Sequence, residues 1–260
     1  MAEPAVQAIS TQFHGRRFTR SRLRDQMGPS TPSFHLLESL AFRDVFRLHD
    51  DFAGVLNTDL WTATNNGAGA ASFALAAGRN GLIQGDAGID DDGDSRIISN
   101  ATSLPFSSDR RCAAIFRIYL PAAVTNSKFE VGFIDAAGAG AVNVKATPTS
   151  TRTDYAVVIR DTDDDTNISM ITDGTTNAVA SVDGVATIAL TTFYDIMIAL
   201  NENKEANFWV NSVFQGKLSS GPNITTGLSL WAYIQDRDDV NNKQMNIDYI
   251  SAWQERVNVA

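Results

Sequence analysis

Short alternating apolar strands, separated by breaks rich in Gly, Asp and Asn, predict an all-β chain: a two-sheet antiparallel sandwich preceded by an extended N-terminal arm carrying a short helix. Three observations carry this. The first is the stretch from Thr192 to Leu218, where period-two alternation puts Tyr194, Ile196, Ile198 and Leu200 on one side of a strand and Phe193, Met197 and Ala199 on the other. The second is that such strands recur about every dozen residues, which is the rhythm of sandwiches and barrels. The third is a compositional break near residue 49, where a basic segment gives way to an acidic one.

The arm comes first. Residues 1–49 hold seven Arg against four acids, Glu3, Asp25, Glu38 and Asp44, and so carry +3 of a net charge of −9; the other 211 residues carry −12. Five of those arginines lie between Phe13 and Arg24 with no acid among them, and Gly28 to Ser33 breaks any regular element. Ser33 can cap a helix from Phe34 to Arg47, with Leu36, Leu37, Leu40, Val45 and Leu48 on roughly one side. Phe13, Phe18, Leu23, Phe34, Phe42 and Phe46 are too many large apolar side chains for a merely solvated tail. The reading is a basic N-terminal arm for assembly, 1–49, that orders on a partner, followed by a sandwich over 50–260.

The sandwich opens at Asp50 to Thr62, and strands are expected after it at Ser72 to Ala76, Gly81 to Gln84, Ser95 to Ser99, Arg110 to Leu120, Lys128 to Asp135 and Val142 to Lys145. Asp154 to Arg160, Asn167 to Thr172, Ala178 to Val182, the meander, Leu228 to Gln235 and Met245 to Gln254 complete the set. In the meander, Asn201 to Glu205 makes a polar hairpin loop. The returning strand sets Phe208 and Val210 against Trp209, and Asn211-Ser212 turns the chain, because Asn tolerates the left-handed conformation. A 43% apolar fraction and fourteen Phe supply a sizeable core. The single Cys112 excludes an intramolecular disulfide, and its apolar run places it as a buried small hydrophobe.

Asp50-Asp51-Phe52-Ala53-Gly54-Val55-Leu56-Asn57-Thr58-Asp59-Leu60-Trp61 resembles the first strand of concanavalin A-like (laminin-G/glucanase-type) jelly rolls. Phe208-Trp209-Val210-Asn211-Ser212 is similar to their late strand, Asn-Gly turn, strand unit, with Ser212 where that family has Gly. Met245 to Gln254 resembles their last strand, which pairs beside the first. This likeness spans about 50–255 and implies the fold more than a function. Phe129-Glu130-Val131-Gly132-Phe133-Ile134-Asp135, taken with Ile247-Asp248-Tyr249, resembles virion structural proteins of tailed bacteriophages, some of which decorate capsids while others sit on tails.

Candidate chemistry is sparse. Glucanases of this fold need carboxylates in a Glu-x-Asp-x-x-Glu pattern on one concave strand, and retaining hydrolysis sets them about 5–5.5 Å apart. Here Glu130 and Asp135 point to opposite faces of a regular strand, and Gly132 and Ile134 cannot replace the missing acids; Glu130 reads as an edge or interface carboxylate. His14, His35 and His49 all lie in the arm or at its junction, so the sandwich holds neither a Ser-His-Asp triad nor a His-based metal site. Gly138-Ala139-Gly140 lacks the Lys and the strand-to-helix context of a phosphate loop. Three acidic loops, Asp86 to Asp94, Asp161 to Asn167 and Asp236 to Asp239, read as solvated hairpin tips, with Asp90, Asp92 and Asp94 the weak candidates for Ca²⁺. Trp209, Trp231, Tyr233 and Trp253 could form a sugar platform, but each sits in an alternating strand where core packing explains it.

The resemblance and the arm together imply a structural virion protein that decorates or cements a capsid. It would be made in a host cytoplasm, since Met1 to Ser10 has no secretory pattern, and no run approaches the ~20 apolar residues of a membrane span. Partner contacts would fall to Phe13, Arg16, Arg17, Phe18, Arg20, Arg22, Arg24, Phe34, Phe42 and Phe46. Expected partners are other virion proteins such as the major capsid protein, and further copies of the chain as a homo-oligomer, a trimer among the options. The acidic body argues against nucleic acid as a partner. No catalytic residue and no cofactor are expected. The alternatives are a glycan-binding module of a tail fibre or baseplate and, far behind it, a glycoside hydrolase.

Overall fold

The computed structural model describes residues 45–77, 81–100, 106–122, 125–135, 152–163, 166–174, 180–238 and 242–255. Fifteen strands follow in chain order: β1 (Val45–Asp50), β2 (Trp61–Asn66), β3 (Ala71–Leu75), β4 (Ile83–Asp86), β5 (Asp94–Ser99), β6 (Ala113–Tyr119), β7 (Ser127–Ile134) and β8 (Tyr155–Asp161). The remainder are β9 (Asn167–Asp173), β10 (Ala180–Thr187), β11 (Phe193–Leu200), β12 (Ala206–Val210), β13 (Val213–Leu218), β14 (Ser229–Asp236) and β15 (Gln244–Glu255). They form two antiparallel sheets. One runs β13-β12-β11-β6-β15-β4-β3, with β1 also on β15; the other runs β10-β9-β8-β7-β14-β5-β2. This is the jelly-roll sandwich the sequence predicts. No helix among the described residues is long and apolar enough to cross a membrane.

The core lies between the sheets and is built by the alternation read from the sequence. Tyr194, Ile196, Ile198 and Leu200 of β11 and Phe208 and Val210 of β12 face inward, against Phe129, Val131 and Phe133 of β7 and Leu230, Ala232 and Ile234 of β14. Met197, Ala199 and Trp209 point the other way, into a separate buried cluster with Ala113 and Trp253. Cys112 is buried in the main core, and burial pushes its thiol pKa far above the ordinary range.

Strand β15 changes phase midway. Met245 and Ile247 are core residues at odd positions, Ile250 and Ala252 at even ones. A bulge between Ile247 and Tyr249, on the β6 side, absorbs the extra residue and keeps both halves facing inward.

The N-terminal region departs from expectation in three ways. Val45, Phe46 and Arg47, placed in a helix by their spacing, lie instead in β1, paired in register with β15 from Val45↔Glu255 to Asp50↔Ile250. Six backbone pairs and the burial of Leu48 outweigh a weak local helical preference. The closing strand does lie beside the first, but that first strand ends where it was expected to begin. Asp50 to Trp61 is not a strand: Asp50 Oδ1 accepts from Phe52 N–H (2.9 Å), Phe52 has φ 51°, and Asn57 O accepts from Trp61 N–H (2.9 Å). Trp61 then opens β2, whose polar sequence gives little apolar alternation to read. Likewise, the chain before β6 makes a 3₁₀ turn over Ser108–Arg110 and passes through Arg111 at φ 49°. The strand expected at Val142 to Lys145 lies outside the described residues, as do residues 1–44 of the arm.

Asn211-Ser212 joins β12 to β13 with φ values of 48° and 65°. Two positive φ values in a two-residue loop make the turn whose twist matches its strands. Asn211 Oδ1 also accepts from Asp195 N–H (2.9 Å), and Asn211 N–H donates to Asp195 O (2.8 Å), locking the turn onto β11.

Candidate functional site

The outer face of the seven-stranded sheet, the side turned away from the core, carries Glu130, the carboxylate singled out in the sequence. Strand parity fixes its membership. On β7 it presents Lys128, Glu130, Gly132 and Ile134; on β14 it presents Trp231, Tyr233 and Gln235, opposite Gly132, Glu130 and Lys128 respectively. Beyond β14, Arg96 and Ile98 of β5 continue the rows from Tyr233 and Trp231; on the other side, Ile159 and Val157 of β8 stand opposite Glu130 and Gly132.

This face is closed. Lys128, Glu130, Ile134, Tyr155 and Val157 are fully buried, and Trp231 and Tyr233 are 1% exposed. Lys128 Nζ lies 3.0 Å from Glu130 Oε1, with neither side chain exposed. The Trp231 indole N–H donates to Glu130 Oε2 (3.0 Å). The Trp231 and Tyr233 rings stack, 5.6 Å apart at 15°. Above them, the Arg152 guanidinium sits 5.9 Å from the Trp231 ring centre, and Lys128 Nζ is 5.9 Å from that of Tyr233. At Gly132 a Cβ would fall 2.2 Å from Ala156 O and 2.9 Å from Ile198 Cδ1 of the core, so the position has no space for a side chain. Asp135 holds the turn that delivers Arg152, accepting from the Thr153 and Asp154 N–H groups (3.2 Å each) and from the Thr153 hydroxyl (2.6 Å).

Electrostatics follow the burial. Desolvation lowers the Arg152 pKa, opposed by Asp135 and Glu130. Burial drives the Tyr233 phenol far above its ordinary range, reinforced by Asp94 and Glu130. Asp94 is raised by burial, with Arg96 pulling it back.

Glu130 is therefore neither an edge nor an interface carboxylate. β7 is the middle strand of its sheet, and the carboxylate is held from both sides by Lys128 and Trp231. Its four neighbours on the face are Lys128, Gly132, Tyr233 and Ile159, none of them an acid. Asp94, two strands away and two residues along, is about 12 Å distant by strand geometry. Retaining hydrolysis wants about 5–5.5 Å, and inversion about 6.5–9.5 Å.

The three acidic loops meet at one end of the sandwich, where cations cross-link them. Arg237 reaches Asp92 and Asp161 (2.6 Å each) and Asp163 (3.8 Å). Lys243, itself fully buried, reaches Asp238 (2.8 Å) and Asp236 (3.4 Å). The weak Ca²⁺ candidates are thus separated: Asp90 accepts from Ala68 N–H, Asp92 takes Arg237, and Asp94 takes Arg96 at 3.4 Å. Among the described residues no three His, Cys, Asp or Glu side chains converge as a metal site.

Of the expected partner-contacting residues, Phe13, Arg16, Arg17, Phe18, Arg20, Arg22, Arg24, Phe34 and Phe42 lie outside the described residues. Phe46 lies in β1, half-buried, its ring 5.9 Å from Phe106. Trp209, Trp231, Tyr233 and Trp253 are all buried. Sequence reasoning overlooked the cations Lys128, Arg152, Arg237 and Lys243; the Lys-x-Glu spacing on one strand face was the available signal for the first.

No family model matches the chain, and no curated protein does either. Solved structures do. The β-glucanase of Bacillus licheniformis superposes with a TM-score of 0.55 at 11% identity, over 81% of this chain and 98% of the enzyme. The CBM2 module of the evolved Dit of Lactobacillus casei BL23 phage J-1 gives 0.54 at 12%, over 84% and 99%. The exoplasmic/lumenal domain of VIP36, in a Ca²⁺/Man3GlcNAc-bound form, gives 0.53 at 8%, over 84% and 92%. The fold is thus a concanavalin A-like jelly roll, shared with the β-glucanase, the phage module and the lumenal domain.

Proposed function

We propose that this chain is a non-catalytic structural protein of a phage virion, decorating or cementing a capsid, with the sandwich as outward bulk and the leading basic arm as its attachment. The observation that carries the non-catalytic part is the closed face: its central carboxylate is committed to Lys128 and Trp231 and has no acid neighbour. The attachment part is supported by the partition of charge, +3 in residues 1–49 against −12 in the remainder, which suits docking onto an acidic surface. Many weak contacts on a symmetric shell add up to tight binding. The test is removal of residues 1–44, which leaves β1 in place. The shortened chain should keep a β-sheet circular dichroism spectrum and lose attachment to particles assembled without it; undiminished attachment overturns the reading.

A second reading is a glycan-binding module of a tail fibre or baseplate. The phage module and the glycan-bound lumenal domain with the same fold favour it. The burial of Trp209, Trp231, Tyr233 and Trp253 removes its expected platform. A glycan array with and without chelator separates the two, since chelator-sensitive binding of a defined sugar would promote the second.

A further inference from the structure

Four strands end the two sheet orders: β13 and β3 in one, β10 and β2 in the other. An edge strand offers unpaired N–H and C=O groups to any other strand, and folded proteins blunt such edges with bulges and charges. Three of the four are blunted here. The β13 pairing slips between Phe208 and Trp209 of β12, the β10 strand slips between Val182 and Ala186, and β3 slips between Ala71 and Ala74. β13 also carries Lys217, and β10 carries Asp183.

β2 is different. Its register on β5 runs unbroken from Trp61↔Ser99 to Asn66↔Asp94, and Trp-Thr-Ala-Thr-Asn-Asn contains no charge, proline or glycine. Leu60 O accepts from Asn100 N–H (2.9 Å), so alternate residues Leu60, Thr62, Thr64 and Asn66 face β5. Ala63 and Asn65 then direct their main-chain groups to the open side, where no main-chain partner among the described residues meets them. Thr62, Thr64, Asn65 and Asn66 are exposed.

We infer that β2 is a self-association edge, pairing antiparallel with β2 of a second copy about a two-fold axis at Ala63. This surface belongs to the sandwich and does not depend on the arm. The centring follows from Ala63 lying midway between Trp61 and Asn65, which face outward with it, and it matches the sequence to itself. The Trp61 N–H is already given to Asn57 O, so the pairing rests on the Ala63 and Asn65 groups and the Trp61 carbonyl. Trp61 falls opposite Asn65, Thr62 opposite Thr64, Leu60 opposite Asn66, and Asp59 opposite Gly67. No like charges oppose one another, although the chain carries −9. Thr62 and Thr64 form a cross-strand threonine pair, a favourable neighbour in sheets. The two seven-stranded sheets become one continuous sheet. An edge this short supports concentration-dependent association rather than an obligate dimer.

Sedimentation equilibrium of the full chain over a concentration series is the test. The apparent mass should rise from 28.1 kDa toward twice that value. Ala63→Pro removes one outward N–H and should weaken association by about tenfold or more, with the circular dichroism spectrum retained. Ala63→Val keeps the N–H and should associate like the parent. If Ala63→Pro fails to fold, Thr62→Lys decides: it places a cation on the exposed face beside the partner's Thr64, and it should likewise abolish the mass increase. A parent chain that stays at 28.1 kDa throughout, or association that survives Thr62→Lys or a folded Ala63→Pro, overturns the inference.

Discussion

Lys128 and Glu130 stand two positions apart on β7, their ammonium and carboxylate 3.0 Å from each other and both wholly out of contact with solvent. Removing one member of such a pair takes the nearest opposite charge from the other in a low-dielectric layer. Lys128→Met should therefore cost about 3–5 kcal/mol in urea unfolding. The double change Lys128→Met with Glu130→Leu should recover most of that loss. A single change as mild as a surface substitution would show that the pair is not isolated from water.

Arg237 ties together loops that are distant in sequence. Its side chain and that of Asp161 are 10% and 6% exposed, so Arg237→Ala leaves a nearly buried carboxylate without its guanidinium. About 3 kcal/mol of stability should be lost, read by chemical denaturation. Hydrogen exchange should quicken first in the Asp90–Gly93 and Asp161–Asp163 loops. Adding calcium or chelator should leave the melting temperature of the parent chain unchanged, because Asp90, Asp92 and Asp94 are directed to different partners.

Asp94 gives a pH test with a definite sign. Burial raises its folded-state pKa above the ordinary value of 3.8, with Arg96 opposing. The folded chain thus holds a proton that the unfolded chain has released, so this group's contribution worsens as pH rises through that interval. Asp94→Asn should accordingly look better relative to the parent at neutral pH than below pH 3.8. Thermal melts at both conditions check this; an equal or opposite difference would show that the Arg96 pair, not desolvation, governs Asp94.

Ser212 sits at φ 65° in the tight turn. A side chain costs about 1–2 kcal/mol in that region, and glycine avoids the cost while adding disorder to the unfolded state. Ser212→Gly should stabilise by about 0.5–1 kcal/mol, visible as a raised urea midpoint with unchanged slope.

Much of the sandwich was legible because its strands alternate. β11 and β12 announce their faces through Tyr194, Ile196, Ile198 and Phe208, and even the phase change of β15 is written in Ile247 and Ile250. Asp50 to Trp61 misled because its likeness to a family's first strand is silent on Asp50 and Asn57, which act locally and cap turns. The role of Glu130 was not legible, since sequence says that Lys128 shares its face but not that β7 lies in the middle of its sheet. Arg237 and Lys243 were missed for a related reason: the loops are acidic one by one, and only the fold brings a cation among them.

The antiparallel register of β1 on β15 also sets how the molecule bears load. Val45 and Glu255 face each other at one corner, so tension between those two points would peel the ribbon pair by pair, at low force. Traction on Val45 directed along the strand, against an anchor at the far end of the sandwich, would instead strain all six pairs together. A tether leaving through residue 45 is therefore weak or strong according to the direction in which it is pulled.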